Sequence, residues 1–224
     1  MTEQKDNKTL SVQALRRLPD YLHYLKGQNP KKDQYISAST LAHALRLNEV
    51  QVRKDLAAVS PTSGKPRAGF EVTQLIQGIE DHLGYHSVDE AVLVGAGKLG
   101  QALLSYEGFR NAGLNIVAAF DSNPEMHHTS LDGKYVFPMD KLVNLCQRMK
   151  IHIGVITVPT THAQEVCDLL IEGGILAIWN FAPVNLKVPS HVYVRNENMA
   201  ASLAMISQHL KQQYQKDSME VSSS

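Results

Sequence analysis

AVLVGAGKLG, residues 91–100, decides the fold of the C-terminal half of this chain. It begins as a run of apolar residues typical of a buried β-strand and continues as Gly-x-Gly-x-x-Gly into a helical pattern. A second apolar run, NIVAAFD at residues 115–121, ends on Asp121, 21 residues after Gly100. A glycine-rich turn between strand and helix, followed by an acidic residue ending the next strand, is typical of dinucleotide-binding domains. The stretch therefore predicts a Rossmann domain.

Each glycine of this turn has a physical role. Gly95 permits the tight turn, Gly97 lets the backbone approach a pyrophosphate, and Gly100 allows the helix to pack closely on the strand. The N–H groups and partial positive charge of the helix N-terminus would lie on the phosphates. The predicted phosphate-binding turn is completed by the intervening residues Ala96, Lys98 and Leu99.

The residue Asp121 predicts which dinucleotide binds. Its carboxylate would accept hydrogen bonds from the adenosine ribose and repel a 2′-phosphate, which favours NAD(H) over NADP(H). No arginine follows at once, since the next residues are Ser122 and Asn123. The alternatives are a glycine turn that binds nothing and a site for another nucleotide-bearing ligand such as coenzyme A.

The remainder of the C-terminal half alternates between strands and helices. Apolar strands are predicted at 135–137, 153–158, 175–179 and 192–194, and helices at 98–112, 139–150, 161–172 and 197–214. This alternation predicts a parallel sheet with helical crossovers, so the fold class is α/β. Residues 215–224 have no apolar core and are predicted to be a disordered tail.

The first 84 residues follow a different, helical pattern. One apolar stripe consists of Leu15, Leu18, Leu22 and Leu25, and Pro19 within it predicts a kink or an interruption. A second helix is predicted after the N-cap Ser37 and a third after Asn48, with only two or three residues between them. Two amphipathic helices joined by so short a turn predict a helix-turn-helix.

A basic loop follows the third helix. The stretch SPTSGKPRAGFEV, residues 60–72, is rich in Pro, Gly and Ser and predicts the β-hairpin wing of a winged helix. A further helix is predicted at 72–83. In a helix-turn-helix the early residues of the second helix reach the major groove, where Gln pairs with adenine and Arg with guanine or phosphate. A small wing tip carrying Arg suits a narrow minor groove and AT-rich flanks. The predicted DNA-binding residues are Gln51, Arg53, Lys54, Lys65 and Arg67.

Charge is distributed unevenly although the net charge of the chain is zero. Residues 1–84 hold 12 Lys+Arg and 9 Asp+Glu, which gives +3, and residues 85–224 hold 10 and 13, which gives −3. A basic excess in the first part fits contact with phosphates. A helical hairpin that contacts only protein is the alternative.

Length and composition exclude several classes of protein. The 224 residues suit two small domains, and no apolar stretch reaches the roughly 18 residues of a membrane span. The polar start MTEQKDNK is not a secretory signal, so a cytoplasmic protein is expected. Neither the cysteines Cys146 and Cys167 nor the pair His127–His128 shows metal-ligand spacing, so we predict no metal site.

The space left for catalysis is small. After Asp121 only about 100 residues remain, and they complete the sheet and the last helix. A dehydrogenase would need a substrate pocket with an acid–base residue near the nicotinamide. His162 opens a helix on that side, but a capping or surface role is favoured. We predict no catalytic residue, and a small NAD-dependent dehydrogenase is the alternative.

Several stretches together resemble the Rex family of redox-sensing repressors, over about residues 12–212. VGAGKLG is shared with many Rossmann proteins, whereas QVRKDL together with NFAP is much more specific. The resemblance rests on RRLPDYLHYL (16–25), QVRKDL (51–56), the wing, VGAGKLGQALLSYEGF (94–109), AFD (119–121), VPTTHAQEV (158–166) and WNFAPVNLKVP (179–189).

The resemblance implies a homodimer that binds double-stranded operator DNA, an inverted repeat, when NAD+ dominates or cofactor is absent, and releases it with NADH. It implies a winged helix over 1–84, a Rossmann domain over 85–196, and a dimerisation helix over 197–214 that is exchanged between subunits. Tyr106 matches the tyrosine that helps to distinguish the redox states. The positions implied near the nicotinamide are Pro159, Asn180, Phe181 and Ala182.

Two positions depart from the family pattern. Members usually have an Asp at the start of the last helix, where this chain reads Glu197-Asn198-Met199, and an Arg where it has His23. These two groups are charge partners in the DNA-bound state of the family. A neutral Asn198–His23 contact would be weaker and, through His23, sensitive to pH. One alternative is therefore a Rex-like DNA binder with a weak or lost NADH response. A separate alternative is a CoA- or nucleotide-binding regulatory subunit without DNA affinity.

Overall fold

The computed structural model describes residues 10–85, 89–127 and 129–221 of the chain. They form two compact units. The first contains a two-stranded sheet among helices, and the second contains a seven-stranded sheet with its surrounding helices. The domain bounds expected from the sequence at residues 84 and 196 stay predictions.

The N-terminal unit has the order of elements of a winged helix. In chain order these are α1 (Val12–Gly27), β1 (Tyr35–Ile36), α2 (Ala38–Leu45), α3 (Glu49–Val59), β2 (Phe70–Glu71) and α4 (Val72–Leu83). Strands β1 and β2 pair antiparallel at the base of the wing. The core of the unit comprises buried residues from all four helices, including Leu18, Leu41, Leu56 and Leu75.

Helix α1 continues through Pro19, where we expected a kink or an interruption. A proline inside a helix removes one backbone hydrogen bond and crowds the preceding turn. The side chains around it are fully buried, however, with Leu18, Tyr21 and Leu25 at 0% exposure. Burial of such side chains contributes about 1.5–3 kcal/mol each, which offsets the local cost.

The C-terminal unit is a doubly wound sheet. Its strands are β3 (Asp89–Val94), β4 (Leu114–Asp121), β5 (Ser130–Leu131), β6 (Lys134–Pro138), β7 (Ile153–Ile156), β8 (Ala177–Asn180) and β9 (Tyr193–Asn196). They lie in the order β5-β6-β4-β3-β7-β8-β9, and all neighbouring pairs are parallel except β5–β6. The order reverses between β3 and β7, and ligands of such sheets bind in the crevice at this point.

Helices cover both faces of this sheet. They include α5 (Lys98–Leu104), α6 (Gly108–Asn111), α7 (Leu142–Met149) and α8 (Thr160–Glu172), and a further helix, α9 (Met199–Val221), follows β9 with its described side chains exposed. Alternate residues of β3 enter two separate clusters, Val92 and Val94 with residues of α7 and α8, and Ala91 and Leu93 with Leu104 of α5. Because side chains alternate across a strand, this pattern requires β3 to be buried on both faces.

Two helix predictions need correction. The helix expected over 98–112 is divided into α5 and α6, because the Ser105 hydroxyl donates to the carbonyls of Gln101 and Ala102 and helps to end α5 there. The last helix reaches Val221, so residues 215–221 are helical rather than a disordered tail. Between Tyr214 and Val221 the sequence has no Pro or Gly to end a helix. Residues 222–224 lie outside the described residues.

Neither membrane spans nor grouped metal ligands are found in the described part of the chain. Within residues 10–85, 89–127 and 129–221, no helix is long and apolar enough to cross a bilayer. In those same ranges, no three His, Cys, Asp or Glu side chains are grouped as metal ligands. The imidazole of His127 contacts the carbonyl oxygen of Asp121 at 2.8 Å, whereas His128 lies outside the described residues.

Candidate functional site

The glycine turn after β3 is shaped by close backbone contacts. Gly95 has φ +101°, and its N–H donates to the carbonyl of Phe120 at 2.8 Å. A Cβ on Gly95 would lie 2.9 Å from the backbone of Thr157, and one on Gly100 only 2.0 Å from the Gly95 oxygen. Side chains therefore do not fit at either position, as the motif predicts.

Gly97 differs from these two glycines because it faces open space. A Cβ there would meet no atom within 4 Å, and the backbone, at φ −68°, would accept any residue. Gly97 also precedes α5 without a side-chain cap, so no side chain occupies the helix N-terminus. The absence of a side chain at Gly97 is therefore not required by the backbone conformation, and it leaves room for a ligand.

Asp121 ends β4 next to this turn. Its Oδ2 accepts from the Ala96 N–H at 2.7 Å, and its Oδ1 accepts from the Asn123 N–H at 2.8 Å. A carboxylate has about four acceptor sites, so two remain for donors from a ligand. The carboxylate thus holds the turn in place and is still able to accept from hydroxyl groups.

Gly95, Gly97 and Asp121 line one cavity of about 480 Å³ at the carboxyl ends of β3 and β7. The volume is typical of small-molecule sites. Its other lining residues are Val94, Ser122, Met139, Thr157, Val158, Pro159, His162, Glu165, Val166 and Leu169. An acidic group beside a glycine turn and an apolar wall suits the adenosine and phosphates of a dinucleotide.

The sequence did not identify Thr157 as part of this site. Its hydroxyl donates to the carbonyl of Gly95 at 2.7 Å, or to that of Val94 at 3.0 Å, and so fastens the end of β7 to the glycine turn. His162 and Glu165 line the same cavity with a separation of 4.0 Å between Nδ1 and Oε2. The signal that could have found them is their position just after β7, the neighbour of β3 at the switch point.

The positions expected near the nicotinamide do not all meet at this cavity. Pro159 lines it, but Asn180, Phe181 and Ala182 do not. Asn180 is fully buried, and its amide nitrogen lies within 3.1 Å of acceptors on Ala182, Val184 and Asn196, while its oxygen accepts from the Ala182 N–H. Asn180 therefore shapes the loop after β8.

Of the remaining turn positions, Ala96 is buried beside the cavity, and Lys98 and Leu99 form the first turn of α5. None of the three is among the residues that line the cavity.

Phe181 and Tyr106 belong instead to a row of aromatic rings in the C-terminal unit. The ring centroids are 4.8 Å apart for Tyr106–Phe109, 5.3 Å for Phe109–Trp179 and 4.7 Å for Trp179–Phe181. Tyr106 is exposed at one end of the row, and Trp179 donates from Nε1 to Glu197 at 3.1 Å. The proposed switch residue thus contacts β8 through its neighbours.

The helix-turn-helix forms as the sequence predicts. Ser37 accepts from the Thr40 N–H at 3.0 Å and Asn48 from the Gln51 N–H at 3.2 Å, so both predicted N-caps are confirmed. Arg46 ends α2 in the left-handed region, at φ 54°, where glycine would fit without strain. Val52, Leu56 and Val59 face the core, which leaves the other side of α3 exposed.

The predicted DNA-binding side chains on α3 have different surroundings. Arg53 forms an ion pair with Glu49 one turn earlier, and Lys54 is exposed. Gln51 contacts the guanidinium of Arg17 on α1. Lys54 is thus available to an anionic partner, whereas Arg53 already shares its charge with Glu49 and Gln51 is hydrogen-bonded on one side.

The wing is a narrow hairpin closed by two backbone hydrogen bonds. The Lys65 N–H donates to the Gly69 carbonyl at 2.7 Å, and the Gly69 N–H donates back at 2.9 Å. The ammonium of Lys65 lies 4.6 Å from the ring centroid of Tyr35, which anchors the wing to β1. Arg67 is exposed at the tip with φ 64°.

Arg53, Lys65 and Arg67 line one concave surface between the wing and the start of α2. Ser37 and Ser39 also line it, and their hydroxyls are hydrogen-bonded to each other at 2.8 Å. Three cations and two hydroxyl groups on one concavity match the groups that contact phosphates and groove edges of DNA.

The two positions that depart from the family pattern lie in separate units. His23 is exposed on α1, and Asn198 accepts from the Ala201 N–H at 2.9 Å, which caps the start of α9. An Asp would cap the helix equally well and would add a negative charge. The neutral amide therefore keeps the cap and loses the charge.

Comparison with known proteins covers both units. The family model described as "CoA binding domain" matches residues 86–184, and the model described as "Putative DNA-binding protein N-terminus" matches residues 9–57. The redox-sensing transcriptional repressor Rex of Bacteroides fragilis is 40% identical over 91% of this chain and 92% of its own length. The chain belongs to the Rex family of redox-sensing transcriptional repressors. Rex of Treponema denticola is likewise 40% identical, over 89% of this chain and 94% of its own.

Solved structures of a Rex relative agree with this assignment. The Rex-family repressor RSP matches with a TM-score of 0.83 and 31% identity, over 95% of this chain and 99% of its own. Its complex with β-NAD+ and operator DNA matches with a TM-score of 0.84 and 31% identity, over 95% and 98%. Rex proteins are repressors and not enzymes, so the dehydrogenase alternative is set aside. The predicted fold, a winged helix followed by a Rossmann domain, is confirmed.

Proposed function

We propose that this Rex protein binds operator DNA as a homodimer and releases it when NADH rises relative to NAD+. The observation that carries the proposal is that one chain holds two separate binding surfaces. One is the concavity with Arg53, Lys65 and Arg67, and the other is the cavity with Gly97 and Asp121. The relative RSP has been solved with β-NADH and with β-NAD+ plus operator DNA.

The cofactor cavity fits NAD(H) by its chemistry. Gly97 leaves open space for a pyrophosphate, and Asp121 keeps acceptor sites for ribose hydroxyls. The proposed cofactor-binding residues are Gly95, Ala96, Gly97, Lys98, Leu99, Gly100, Asp121 and Pro159, with Asn180, Phe181 and Ala182 acting through the loop after β8. The cofactor supplies a nicotinamide ring that is positively charged in NAD+ and neutral in NADH.

That difference in charge suggests how the redox state is distinguished. Burying a cation against Pro159 and the apolar residues beside it in the cavity, Val158 and Leu169, costs desolvation energy, so an apolar surround favours NADH. Only a difference in affinity between two conformations can shift their populations. We propose that NADH favours a dimer in which the paired α3 helices no longer meet half-sites about 34–36 Å apart, or a multiple of this.

The dimer itself is supported by the last helix. Leu203, Ile206 and Leu210 are exposed, and their spacing places them on one face of α9. A second copy of the chain is the occupant that the family assignment favours for this face. A repressor acts where the chromosome is, so we also propose the cytoplasm as the location.

One observation favours a second candidate function, a DNA binder with a weak NADH response. The Asn198–His23 pair lacks the charges of the usual switch pair of the family. Replacing both, as His23→Arg with Asn198→Asp, should sharpen release by NADH, because an ion pair would then stabilise the DNA-bound state alone. The single replacements are the matched controls and should not have this effect.

The test is operator binding with each cofactor titrated separately. An inverted-repeat operator, selected with this protein from a random pool, is labelled and followed by fluorescence anisotropy. NADH should release it at lower concentration than NAD+, with NADPH as the control that Asp121 excludes. Full binding at saturating NADH would contradict redox sensing, and no affinity for any duplex at low salt would contradict the repressor function as a whole.

A further inference from the structure

Arg17 and Tyr21 of α1 form hydrogen bonds with Asp55 of α3 in the N-terminal unit. The buried carboxylate of Asp55 accepts from Arg17 at both oxygens, from Nε at 2.9 Å and from Nη2 at 3.1 Å. The Tyr21 hydroxyl donates to the same carboxylate at 2.9 Å. A bidentate pair of this kind fixes the plane of the guanidinium as well as its position. Arg17 is therefore held rigidly.

The outer edge of that guanidinium meets Gln51. Nη1 and Nη2 of Arg17 lie 3.1 and 3.2 Å from the amide oxygen of Gln51 when the oxygen faces the cation. A guanidinium has only donors, so the opposite orientation would set an NH2 group against N–H groups. The chemistry of the two partners therefore selects the orientation with the oxygen inward.

This orientation limits what Gln51 offers to DNA. A carbonyl oxygen has two lone pairs, and the two nitrogens of Arg17 occupy both. The Gln51 NH2 group remains, with two donors and no acceptor. A glutamine that pairs with adenine needs both its oxygen and its nitrogen, since adenine presents one acceptor and one donor. The adenine contact expected from sequence would require breaking the bond to Arg17.

We propose that Gln51 reads base edges as a donor only, and that Arg17, held by Asp55 and Tyr21, is the positioning residue that sets this specificity. The proposal rests on the proposed function, because α3 must lie in the major groove. Guanine presents two acceptors there, adenine and thymine one each, and cytosine only a donor. The base facing Gln51 is therefore guanine at least as readily as adenine, and cytosine is excluded.

The test begins by locating the base pair that Gln51 contacts. Each base pair of one half-site of the selected operator is replaced by the other three, and affinities are measured for the full-length protein and for Gln51→Met. Methionine has a similar size but no donor. At the pair that Gln51 reads, the unmodified protein should bind cytosine about tenfold more weakly than guanine, and Gln51→Met should lose that difference.

Arg17→Lys then tests the positioning role at the same base pair. The lysine keeps the positive charge for Asp55, but one ammonium cannot span both Asp55 and the Gln51 oxygen. The freed oxygen should raise binding to adenine relative to guanine by about fivefold. A purely structural role for Arg17 would lower affinity for all four bases equally, which would overturn the proposal.

Gln51→Glu provides a second test that does not disturb Arg17. One carboxylate oxygen would accept from Arg17, and the other would take the place of the NH2 group and present an acceptor to the groove, so the preference should change from guanine to cytosine, whose amino group donates to carboxylates. A preference for guanine over cytosine that survives in Gln51→Glu would show that the outward atom of residue 51 does not read the base. That result would overturn the proposal.

Two further results would also overturn it. One is a strong adenine preference in the unmodified protein that Arg17→Lys leaves unchanged, and the other is a Gln51→Met variant with unaltered base preferences throughout. Both leave the repressor function intact, because the protein still binds its operator. Loss of all operator binding by the unmodified protein would instead refute the proposed function together with this inference.

Discussion

At the scale of single residues, Asp121 and Tyr21 show how one polar group serves both folding and function. The Asp121 carboxylate holds the Ala96 N–H while it lines the proposed cofactor cavity. The Tyr21 hydroxyl, fully buried, holds the Asp55 carboxylate that fixes Arg17. In both cases a hydrogen bond to a charged acceptor sets the geometry of a neighbouring binding group.

Replacing Asp121 with Asn should separate these two roles. Asparagine keeps an acceptor for the Ala96 N–H but removes the charge, so NADH binding should weaken about tenfold to a hundredfold. Operator binding in the absence of cofactor should stay unchanged. Calorimetric titration with NADH and anisotropy with the operator measure the two effects. Glu125→Gln, outside the cavity, is the control, and simultaneous loss of both activities would contradict separate sites.

Tyr21→Phe should lose stability in a way that depends on pH. Burial, helped by the bond to Asp55, raises the pKa of Tyr21 to about 12. Because the folded state holds this proton more tightly, the stabilisation is complete below the ordinary pKa of about 10 and is lost as pH rises towards 12. The variant should be less stable by about 1–2 kcal/mol near pH 8.

The measurement is urea unfolding of both proteins at a series of pH values. The difference in the free energy of unfolding should shrink between pH 10 and pH 12, where the hydroxyl ionises in the folded protein. Other tyrosines and lysines titrate equally in both proteins and cancel from the difference. A gap that stays constant to pH 12 would show that Tyr21 is not the group responsible.

At the scale of elements, the turn between β3 and α5 contains two glycines in different surroundings, one tightly packed and one facing open space. Gly100 has backbone 2.0 Å from where a Cβ would lie, whereas Gly97 has nothing within 4 Å. The motif alone does not distinguish them, because both are simply glycine in the pattern.

We therefore expect Gly100→Ala to lower the stability of the fold and Gly97→Ala to lower the affinity for NADH. Gly100→Ala should lower the free energy of unfolding by about 1–3 kcal/mol, since the clashing atom is backbone and cannot rotate away. Gly97→Ala should change stability by less than about 0.5 kcal/mol, because no contact is disturbed. Its methyl group would, however, occupy the phosphate space and weaken NADH binding at least about tenfold.

Thermal unfolding and NADH titration of the two variants check this contrast. Each variant is the control for the other, because both add one methyl group within the same turn. Normal NADH affinity in Gly97→Ala would mean that the open space does not receive the pyrophosphate.

At the scale of the whole molecule, α9 exposes a larger apolar face than is usual for a helix on the surface of a monomer. Leu203, Ile206 and Leu210 are 64%, 59% and 44% exposed on a helix of 23 residues. Exposed apolar faces of this kind mark interaction sites. Operator recognition by a pair of α3 helices requires a dimer, and we propose this face of α9 as the surface that forms it.

Ile206→Asp together with Leu210→Asp should make the protein monomeric. Charged side chains on the apolar face would have to be buried unpaired in the dimer, which costs several kcal/mol. Operator affinity should fall about a hundredfold, because a monomer meets only one half-site. Sedimentation velocity and anisotropy measure the two properties. Gln208→Asp with Gln212→Asp, on the opposite face, is the control, and a dimer that survives the first pair of changes would contradict this role of α9.

Much of this architecture could be predicted from sequence because its determinants are local. Ser37 and Asn48 cap helices through residues three positions away. Gly95, Gly97 and Gly100 act within one turn, and Asp121 follows from the strand that precedes it. The role of the Asn180 side chain depends on residues farther along the chain, because its amide nitrogen donates to the carbonyl of Val184 in the following loop and to Oδ1 of Asn196 in β9. The position of Asn180 near the nicotinamide stays a prediction, and its side chain supports the loop after β8.

The sequence by itself determined the order of strands and helices, the helix-turn-helix and the glycine turn with its acidic partner, since each depends on neighbours a few residues apart or on a repeating period. Only the tertiary structure decided that Thr157 and His162 line the proposed cofactor cavity and that Arg17 faces Gln51. Thr157 and Gly95, 62 residues apart, meet because β7 lies beside β3, and Arg17 reaches Gln51 because side chains of α1 bond to Asp55 of α3. The partner of a polar side chain is set by such packing, which no local pattern of residues records.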